Sequence, residues 1–258
     1  MTFELSAQSE KVVPYQYFGD GIVIDLMPQL IKAGYVPASV AVIVDRRQNA
    51  PEEVRPHFNT YFWTGDSVGT NEKGGALLTL DSPLLRQLTP ESPLVNGALK
   101  LDNKQWRELK ADKEHSLYLT PAQVEAAQGK GYVSENGKFV ANKAVDKAWN
   151  HLNRGNNLQS YAQMVSEASK SNEVMRLYFD RSKPTTPILR SLVLNRVDND
   201  SNAYGDYLLD NYYGRLVGVA PEAHEKALEA RVTSALEAGK AFEFNGMLYA
   251  PVRGVSLK

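Results

Sequence analysis

The chain of 258 residues contains no cysteine. Disulfide bonds, thiolate catalysis and cysteine-ligated metal sites are therefore excluded. No apolar run approaches the length of about 20 residues that a helix needs to cross a bilayer. The N-terminal segment MTFELSAQSEKVVPYQYF lacks the basic start and apolar centre of a secretory signal peptide. These absences predict a soluble, cytoplasmic protein with no membrane partner.

Motifs for nucleotide and metal binding are also missing. The chain has neither the glycine-rich loop of nucleotide-binding folds nor a spacing typical of zinc ligands. Asp198, Asp200 and Asp206 offer oxygen ligands for calcium. The EF-hand pattern counted from Asp198, however, requires glycine and glutamate where Ala203 and Leu209 stand. We therefore expect no metal ion and no cofactor. The four histidines share no ligand spacing and are predicted to be surface or capping residues: His57, His115, His151 and His224.

Charge is nearly balanced over the whole chain but not along it. The 29 lysines and arginines face 30 aspartates and glutamates, which gives a net charge of −1. Residues 1–103 contain 8 basic and 12 acidic residues, whereas residues 138–196 contain ten basic and four acidic ones. This local excess of positive charge points to an anionic partner. A solvated basic face, neutralised by the acidic N-terminal part, is the alternative.

Short strand-like segments and amphipathic helices follow one another without regular alternation. This pattern predicts an α+β fold with mixed, mainly antiparallel sheets and several amphipathic helices, rather than a doubly wound parallel sheet. The linker-like passage 88–97 predicts a boundary between an N-terminal α/β-like part, 1–97, and a C-terminal mixed part, 98–258. Asn-Gly pairs predict β-hairpins at 130–140 and 241–252.

Helix signals are clearest in the second half of the chain. Thr120-Pro121 predicts a helix start, with threonine as N-cap and proline in the first turn. Residues 143–169 are predicted to be helical with a break at 155–157, and 221–238 to form a further helix. Both 120–140 and 222–252 read as a helix followed by a hairpin. They are either an internal duplication or independent uses of the commonest turn residues.

The segment 187–219, PILRSLVLNRVDNDSNAYGDYLLDNYYGRLVGV, is the longest stretch that predicts β structure. Ile188 to Val197 is rich in leucine, valine and isoleucine with few breaks, as expected of a strand covered on both faces. The Asx residues from Asp198 onward predict a turn, and a second strand follows over 206–219. We therefore predict a hairpin or meander over 188–219.

Arginines and tyrosines are concentrated in this predicted hairpin. Arg190 and Arg196 are six residues apart, so that both would point to one face of the first strand. On such a surface cations meet phosphates while aromatic rings stack on bases, as in proteins that bind single-stranded nucleic acid. Half-buried tyrosines that only pack the sheet are the alternative. The predicted binding residues are Arg190, Arg196, Tyr207, Tyr212, Tyr213 and Arg215.

The tripeptide Gly65-Asp66-Ser67 follows an apolar segment and is predicted to form the exit of a strand. It resembles the first sequence block of GDSL-type esterases, and Asp112-Lys113-Glu114-His115 fits the D-x-x-H block of that family. The resemblance implies Ser67 as the nucleophile of a triad with Asp112 and His115. The chain lacks a G-x-N-D block, and its D-x-x-H block lies much closer to the serine than in the family. A turn beside a strand is the alternative.

Asp45 closes the apolar run Ser39 to Val44, which predicts a buried strand with an acidic residue at its carboxyl end. This position resembles that of the first metal-site aspartate in von Willebrand A-type domains. The two serines expected after that aspartate are replaced by Arg47 and Asn49. An ordinary strand end is the alternative.

These patterns favour a non-enzymatic intracellular binding protein, with single-stranded nucleic acid as its partner. The first alternative is a structural or assembly subunit, for example of a virion or another large complex. Such a viral, phage or cellular protein would use the same aromatic sheet for protein partners or self-association. The second alternative is a hydrolase that uses Ser67 or Asp45.

Overall fold

A computed structural model of the chain describes residues 4–5, 15–220, 242–244 and 247–249, and the side chains of 15–220. The helices are α1 (Val23–Lys32), α2 (Val40–Asn49), α3 (Asn103–Ala111), α4 (Pro121–Ala127), α5 (Lys143–Leu152) and α6 (Leu158–Ser169). The strands are β1 (Glu4–Leu5), β2 (Tyr15–Ile22), β3 (Val36–Pro37), β4 (Phe62–Thr70), β5 (Ala76–Thr79), β6 (Leu94–Val95), β7 (Ala98–Lys100), β8 (Ser116–Leu119), β9 (Tyr132–Glu135), β10 (Lys138–Val140), β11 (Glu173–Val174), β12 (Leu177–Phe179), β13 (Ile188–Leu194), β14 (Ala203–Gly205), β15 (Tyr213–Val219), β16 (Phe242–Phe244) and β17 (Met247–Tyr249).

Twelve of these strands form one large sheet with the order β1-β2-β15-β4-β13-β14-β12. Strands β5 and β8 continue from β4, β7 and β6 pair beside β13, and β3 pairs with β15. Only the β4–β15 and β12–β14 pairs of this described sheet are parallel. The predicted α+β class, with a mainly antiparallel sheet and several helices, is therefore confirmed.

Apolar side chains cover both faces of this sheet. All nine residues of β4 are buried, and alternate residues of the strand point to opposite faces. Phe62 and Val68 pack into one apolar cluster with α2, α5 and α6. Trp63 packs into a second cluster with α1 and α3 on the other face. The sheet is thus the middle layer of the fold, and β4 lies at its centre.

The predicted buried strand Ser39 to Val44 is wrong, because these residues begin helix α2. The Ser39 hydroxyl accepts a hydrogen bond from the Val42 amide, which is the geometry of a helix N-cap. Val40, Ile43 and Val44 are buried at helical spacing. A short apolar run fits a buried helix as well as a buried strand, and here the capping serine decides in favour of the helix.

Several local predictions are confirmed. Thr120 caps α4, with a capping box that involves Gln123. The hairpin predicted at 130–140 is formed by β9 and β10, and Asn136 and Gly137 in its turn have positive φ angles. The predicted helical region 143–169 is divided into α5 and α6 at 155–157, where the break was expected.

The hairpin predicted over 188–219 is wrong in its pairing. Strand β4 lies between β13 and β15, so these two strands do not touch. β13 pairs instead with the short strand β14. Residues 206–212, predicted to begin the second strand, form the loop between β14 and β15. The prediction assumed that neighbours in sequence pair in the sheet, whereas a strand from the first half of the chain is inserted there.

Residue 97, where the sequence analysis divides the chain, lies in the turn between the paired strands β6 and β7. The large sheet contains strands from both sides of this position and is not divided there. In the hairpin predicted at 241–252, the described strands β16 and β17 pair as expected. The helix predicted at 221–238, and with it the comparison of the two helix–hairpin units, lies outside the described residues.

Arg47, on α2, is fully buried and joins several parts of the fold. Its guanidinium donates five hydrogen bonds of 2.6–2.8 Å, all to uncharged acceptors. The five acceptors are the carbonyl oxygens of Phe58, Thr60 and Asn195 and the hydroxyls of Tyr161 and Ser201. A planar guanidinium has five N–H groups, so each donor of this side chain has a partner. Arg47 therefore fixes α2 against α6 and the loop that follows β13.

Candidate binding surface

Four tyrosine rings lie in a row near the β12 edge of the large sheet. The centroids of Tyr178 and Tyr204 are 4.7 Å apart, with 6° between the ring planes. Tyr204 and Tyr207 follow at 5.0 Å and 29°, and Tyr207 and Tyr212 at 4.4 Å and 17°. We call these four side chains the tyrosine stack.

The first two rings stack because of strand register. Tyr178 on β12 lies directly opposite Tyr204 on the parallel strand β14. Neighbouring strands are about 4.8 Å apart, which is the distance at which two in-register aromatic rings stack. The buried Trp63 packs against Tyr207 in a T-shaped arrangement, with ring centroids 6.4 Å apart. The stack is therefore supported from the core.

The loop 206–212, which supplies the other two rings, is held by Leu209. This side chain is fully buried in the apolar cluster around Trp63. Its amide donates to the Gly97 carbonyl at 2.7 Å, and its carbonyl accepts from the Ile24 amide at 3.3 Å. The loop that carries Tyr207 and Tyr212 is thus attached to the sheet rather than suspended from it.

Substitution of Leu209 by alanine is expected to lower the free energy of unfolding by roughly 2–5 kcal/mol, because it leaves a cavity under the loop. Urea denaturation followed by tryptophan fluorescence measures this change. The half-buried neighbour Leu208 is the matched control, and Leu208→Ala is expected to cost clearly less. Equal losses for the two variants would show that Leu209 is not the anchor.

The exposed part of this surface is aromatic. Tyr212 is 45% exposed and Tyr213 is 71% exposed, and with Val140 they are the exposed large hydrophobic residues of the described chain. Within the stack, ring faces cover each other, so that ring edges and hydroxyls face the solvent. Tyr213 lies outside the stack at the start of β15. The surface therefore offers aromatic edges and phenol groups on a rigid support.

Carboxylates lie close to the stack. The pKa of Tyr207 is raised, first by burial and then by the neighbouring tyrosines and Asp206. The pKa of Asp206 is itself raised, mainly by burial, with a further contribution from Asp180. The Asp206 Oδ1 atom is buried and has no hydrogen-bond partner among the described residues. The carboxyl groups of Asp180 and Asp206 thus lie near a single guanidinium, that of Arg190.

The three predicted binding arginines do not converge on the tyrosines. Arg190 is only 4% exposed and donates to Asp180 and to the Asn96 carbonyl. Arg215 pairs with Asp20 on β2 and lies over the Tyr17 ring. Because β4 separates their strands, the two side chains are not neighbours.

Arg196 lies elsewhere again. The prediction that Arg196 shares a strand with Arg190 is wrong, because strand β13 ends at Leu194. It is exposed and pairs with Asp198. Together they line a cavity of about 320 Å³ whose other walls are Pro56, Asn59, Thr60, Ala168 and Val197. The prediction of a single Arg–Tyr face is therefore wrong, because the three arginines lie at separate sites. Of the predicted tyrosines, Tyr207 and Tyr212 belong to the tyrosine stack.

The serine of the esterase-like tripeptide is inaccessible. The tripeptide Gly65-Asp66-Ser67 was predicted to follow the end of a strand, but it lies within β4. The Ser67 side chain is fully buried, and its hydroxyl has no hydrogen-bond partner in the described part of the chain. Asp112 and His115 do contact each other, at 3.0 Å, on an exposed turn. A nucleophile needs a base within hydrogen-bond reach, and none of the described bases contacts Ser67.

Asp45 is also differently placed from the prediction. It lies on helix α2 instead of at a strand end, is exposed, and accepts a hydrogen bond from Asn49 one turn later. The resemblance to a metal-site aspartate required Asp45 to follow a strand, and this condition is not met. Asp200, one of the three candidate calcium ligands, pairs with Arg176.

A buried polar cluster, which the sequence analysis missed, lies on the face of β4 opposite to Trp63. Asp66 is fully buried and accepts hydrogen bonds from the amides of Val40 and Asp81 at 2.7 and 2.9 Å. Burial, and then the nearby Asp81 carboxylate, raise the pKa of Asp66 to about 7. Arg154 pairs with Asp81 and acts against that shift. Asp66 thus ties the first turn of α2 to the sheet.

His151, at the end of α5, belongs to the same region. Burial lowers its pKa to about 4, and the charge of Arg154 acts in the same direction. The main-chain groups of Leu78 and His115 act against this shift, while the His151 Nε2 atom has no hydrogen-bond partner among the described residues. Asp66 and His151 are therefore two buried groups whose pKa values move in opposite senses, and both interact with Arg154.

The residues that sequence analysis missed on the aromatic surface are Tyr178 and Tyr204. Neither residue was among the predicted binding residues. The signal lay in the alternation of Leu177-Tyr178-Phe179, where the outer two residues are buried and the middle one is half-buried. Pairing with β14 is a tertiary contact, and such a contact cannot be inferred from local alternation alone.

The chain is similar in structure, but not in sequence, to a known protein. No protein-family model matches the chain, and no curated protein sequence matches it significantly. Its structure is similar to a solved structure described as "Accommodation of massive sequence variation in Nanoarchaeota by the C-type lectin fold", with a TM-score of 0.57 and 15% identity. The match covers 83% of this chain and 100% of that one. Among the described helices, none has the length and apolar character required to cross a membrane. At this identity the likeness concerns the fold alone, and the fold of this chain is similar to the C-type lectin fold.

Proposed function

We propose that this chain is a non-enzymatic binding protein whose tyrosine stack, together with Tyr213, contacts the surface of another protein. The observation that carries the proposal is the row of four tyrosines, which ends in the exposed Tyr212 and is followed in the chain by the exposed Tyr213. Tyrosine provides a large, rigid and amphipathic contact area at a low cost in side-chain entropy. Tyrosine is also enriched among the residues that dominate protein–protein binding energy.

The geometry of the stack supports a protein partner over a nucleic acid. Bases stack on free ring faces, but in the tyrosine stack most faces are covered by neighbouring rings. Phenol hydroxyls and ring edges are what the stack offers, and these suit hydrogen bonding to peptide groups. Phosphates would in addition need unpaired cations nearby, whereas Arg190 is buried in its pair with Asp180.

Selection from a library of random 12-residue peptides displayed on phage tests the proposal. Selected peptides are expected to bind the wild-type chain and to lose affinity by roughly tenfold or more with Tyr212→Ala, because interface tyrosines contribute about 1–2 kcal/mol or more. Fluorescence anisotropy with the synthesised peptides measures the dissociation constants. Circular dichroism and urea denaturation establish that the variant is folded.

Tyr61→Ala is the matched control, because Tyr61 is a half-buried tyrosine that does not belong to the stack. It is expected to leave the affinity of the peptides unchanged. Peptides that bind wild type, Tyr212→Ala and Tyr61→Ala equally would contradict the proposed surface. Sedimentation velocity shows whether a second copy of the chain is itself the partner, as the assembly-subunit alternative requires.

Single-stranded nucleic acid is a second candidate partner, supported by Tyr213. Alternation along β15 places Tyr213 and Arg215 on the same face of the strand, opposite to Gly214, which packs on Trp63. An exposed ring on the same strand face as a partly exposed guanidinium is one element of a single-strand binding site, although this guanidinium is paired with Asp20. If this candidate is correct, a labelled oligothymidylate binds and Arg215→Gln lowers both its affinity and the salt dependence of binding. No binding at low salt would remove it.

A further inference from the structure

The ionic surroundings of the tyrosine stack are acidic. At the Tyr178 end, Arg176 pairs with both Glu173 and Asp200, and all three charges influence the pKa of Tyr178. One guanidinium therefore faces two carboxylates, which leaves an excess of one negative charge. Glu173 and Arg176 belong to the segment 138–196, whose sequence has more basic than acidic residues. The charge excess of this cluster is therefore opposite in sign to that of the segment.

A second group with the same imbalance lies beyond the carboxyl ends of β12 and β14, where Asp180 and Asp206 follow the paired residues Phe179 and Gly205. Arg190 pairs with Asp180, while Asp206 lies close enough for both of them to influence its pKa. Again one guanidinium faces two carboxylates. The Asp206 Oδ1 atom is buried and has no hydrogen-bond partner among the described residues, and burial raises the pKa of this carboxyl group.

A fifth carboxylate lies in the loop that carries Tyr207 and Tyr212. Asp210 is exposed and makes no ion pair with another described residue. It lies directly against the β6–β7 turn, since a Cβ on Gly97 would be 2.7 Å from its Oδ1 atom. Because the neighbouring Leu209 is anchored in the core, the position of Asp210, two residues before Tyr212, is fixed relative to the sheet. The carboxylates around the stack are Glu173, Asp180, Asp200, Asp206 and Asp210, against the two guanidinium groups of Arg176 and Arg190.

We infer that the protein segment bound by the tyrosine stack is basic, with an arginine or lysine side chain that lies beside Tyr212 and pairs with Asp210. This inference rests on the proposed function of the stack. The charge of the surface is complementary to that of a cationic side chain, and tyrosine ring faces attract cations through their negative quadrupole. The outer face of Tyr212 and both faces of Tyr213 are where such contacts form. An acidic partner or a phosphate backbone would be repelled by the same carboxylates.

The experiment compares three labelled octapeptides, octa-arginine, octa-glutamate and a Gly-Ser octamer, in fluorescence anisotropy with the full chain at low and physiological salt. Octa-arginine is expected to bind at least tenfold more tightly than the other two, with an affinity that falls as salt rises. Asp210→Asn and Tyr212→Ala are each expected to weaken its binding about threefold to tenfold. Asp45→Asn removes an exposed carboxylate on α2, far along the chain, and is the matched control that leaves binding unchanged.

The library selection described above separates this inference from the proposed function. Selected peptides that depend on Tyr212 but are not enriched in arginine or lysine would overturn the basic partner and leave the binding surface intact. Binding of octa-arginine that ignores both Asp210→Asn and Tyr212→Ala would show attraction to the chain at large, and would also overturn the inference. Peptides that ignore Tyr212→Ala would overturn both. Enrichment of basic peptides whose affinity depends on Asp210 and Tyr212 supports both.

Discussion

Replacement of Arg47 by methionine is expected to destabilise the protein by more than about 4 kcal/mol. Methionine fills much of the volume of arginine but donates no hydrogen bond, so the three carbonyl acceptors lose this partner. The hydroxyls of Tyr161 and Ser201 lose it too but keep the hydrogen bond that joins them. Each buried acceptor left unsatisfied costs roughly 1–3 kcal/mol, and water that enters the site recovers part of this. Because a small domain has a free energy of unfolding of about 5–15 kcal/mol, the variant is expected to be partly unfolded at 37 °C.

Equilibrium urea denaturation of the wild type and the variant measures the loss. Arg55→Met is the matched control, since Arg55 is exposed and its guanidinium donates to a single acceptor, the Ala50 carbonyl. We expect a change within about 0.5 kcal/mol for the control. A similar small change for Arg47→Met would mean that the five hydrogen bonds are replaced by water at little cost.

The stability of the protein is expected to depend on pH through two buried groups with opposite effects. The pKa of Asp66 is raised from 3.8 to about 7, so the folded state retains a proton that the unfolded state has lost. Between these values, stability falls as pH rises, by up to about 1.4 kcal/mol per pH unit. The pKa of His151 is lowered from 6.5 to about 4, so in that interval the unfolded state binds the extra proton and stability rises with pH.

For the wild type we therefore expect a nearly flat stability from about pH 4.5 to 6.5, because the two slopes oppose each other. Asp66→Asn leaves the His151 contribution alone, so that the free energy of unfolding rises with pH over this range. His151→Gln leaves the Asp66 contribution alone and gives a fall that continues to about pH 7. Urea denaturation at five pH values gives the three slopes.

Asp45→Asn is the control for these slopes, since the exposed Asp45 makes only a local hydrogen bond with Asn49. Its profile is expected to follow that of the wild type. Parallel profiles for the wild type, Asp66→Asn and His151→Gln would contradict the assigned shifts. The slope is the informative quantity, because each substitution also changes the hydrogen bonds of the cluster and hence the absolute stability.

Local chemistry was readable from the sequence where a few neighbouring residues decide the structure. The Thr120-Pro121 start of α4 and the Asn136-Gly137 turn were predicted correctly, since caps and tight turns depend on nearby side chains. The run Ser39 to Val44 was predicted incorrectly, since periodicity in six apolar residues does not separate a buried helix from a buried strand. The mainly antiparallel α+β class followed from the order of the segments.

The candidate site was only partly predictable. Tyr207, Tyr212 and Tyr213 were selected for their residue type, and the structure places the first two in a stack and exposes the third. Their grouping with Arg190, Arg196 and Arg215 was wrong, because it depended on β13 and β15 being neighbours. Which strand lies between two others is decided by contacts across the whole chain, and neither propensity nor alternation records those contacts.

The position of β4 has a consequence for the order in which the protein can be made. Its two neighbours in the centre of the sheet, β13 and β15, are translated more than a hundred residues later. Until they leave the ribosome, β4 has only β5 as a partner in the sheet, along part of one edge. The rest of its backbone is unpaired and its two apolar faces are uncovered, which is the condition that favours association of nascent chains. Such long-range pairing is also slow. Synthesis of this protein is therefore expected to depend on chaperones that hold the first half of the chain until the second half arrives.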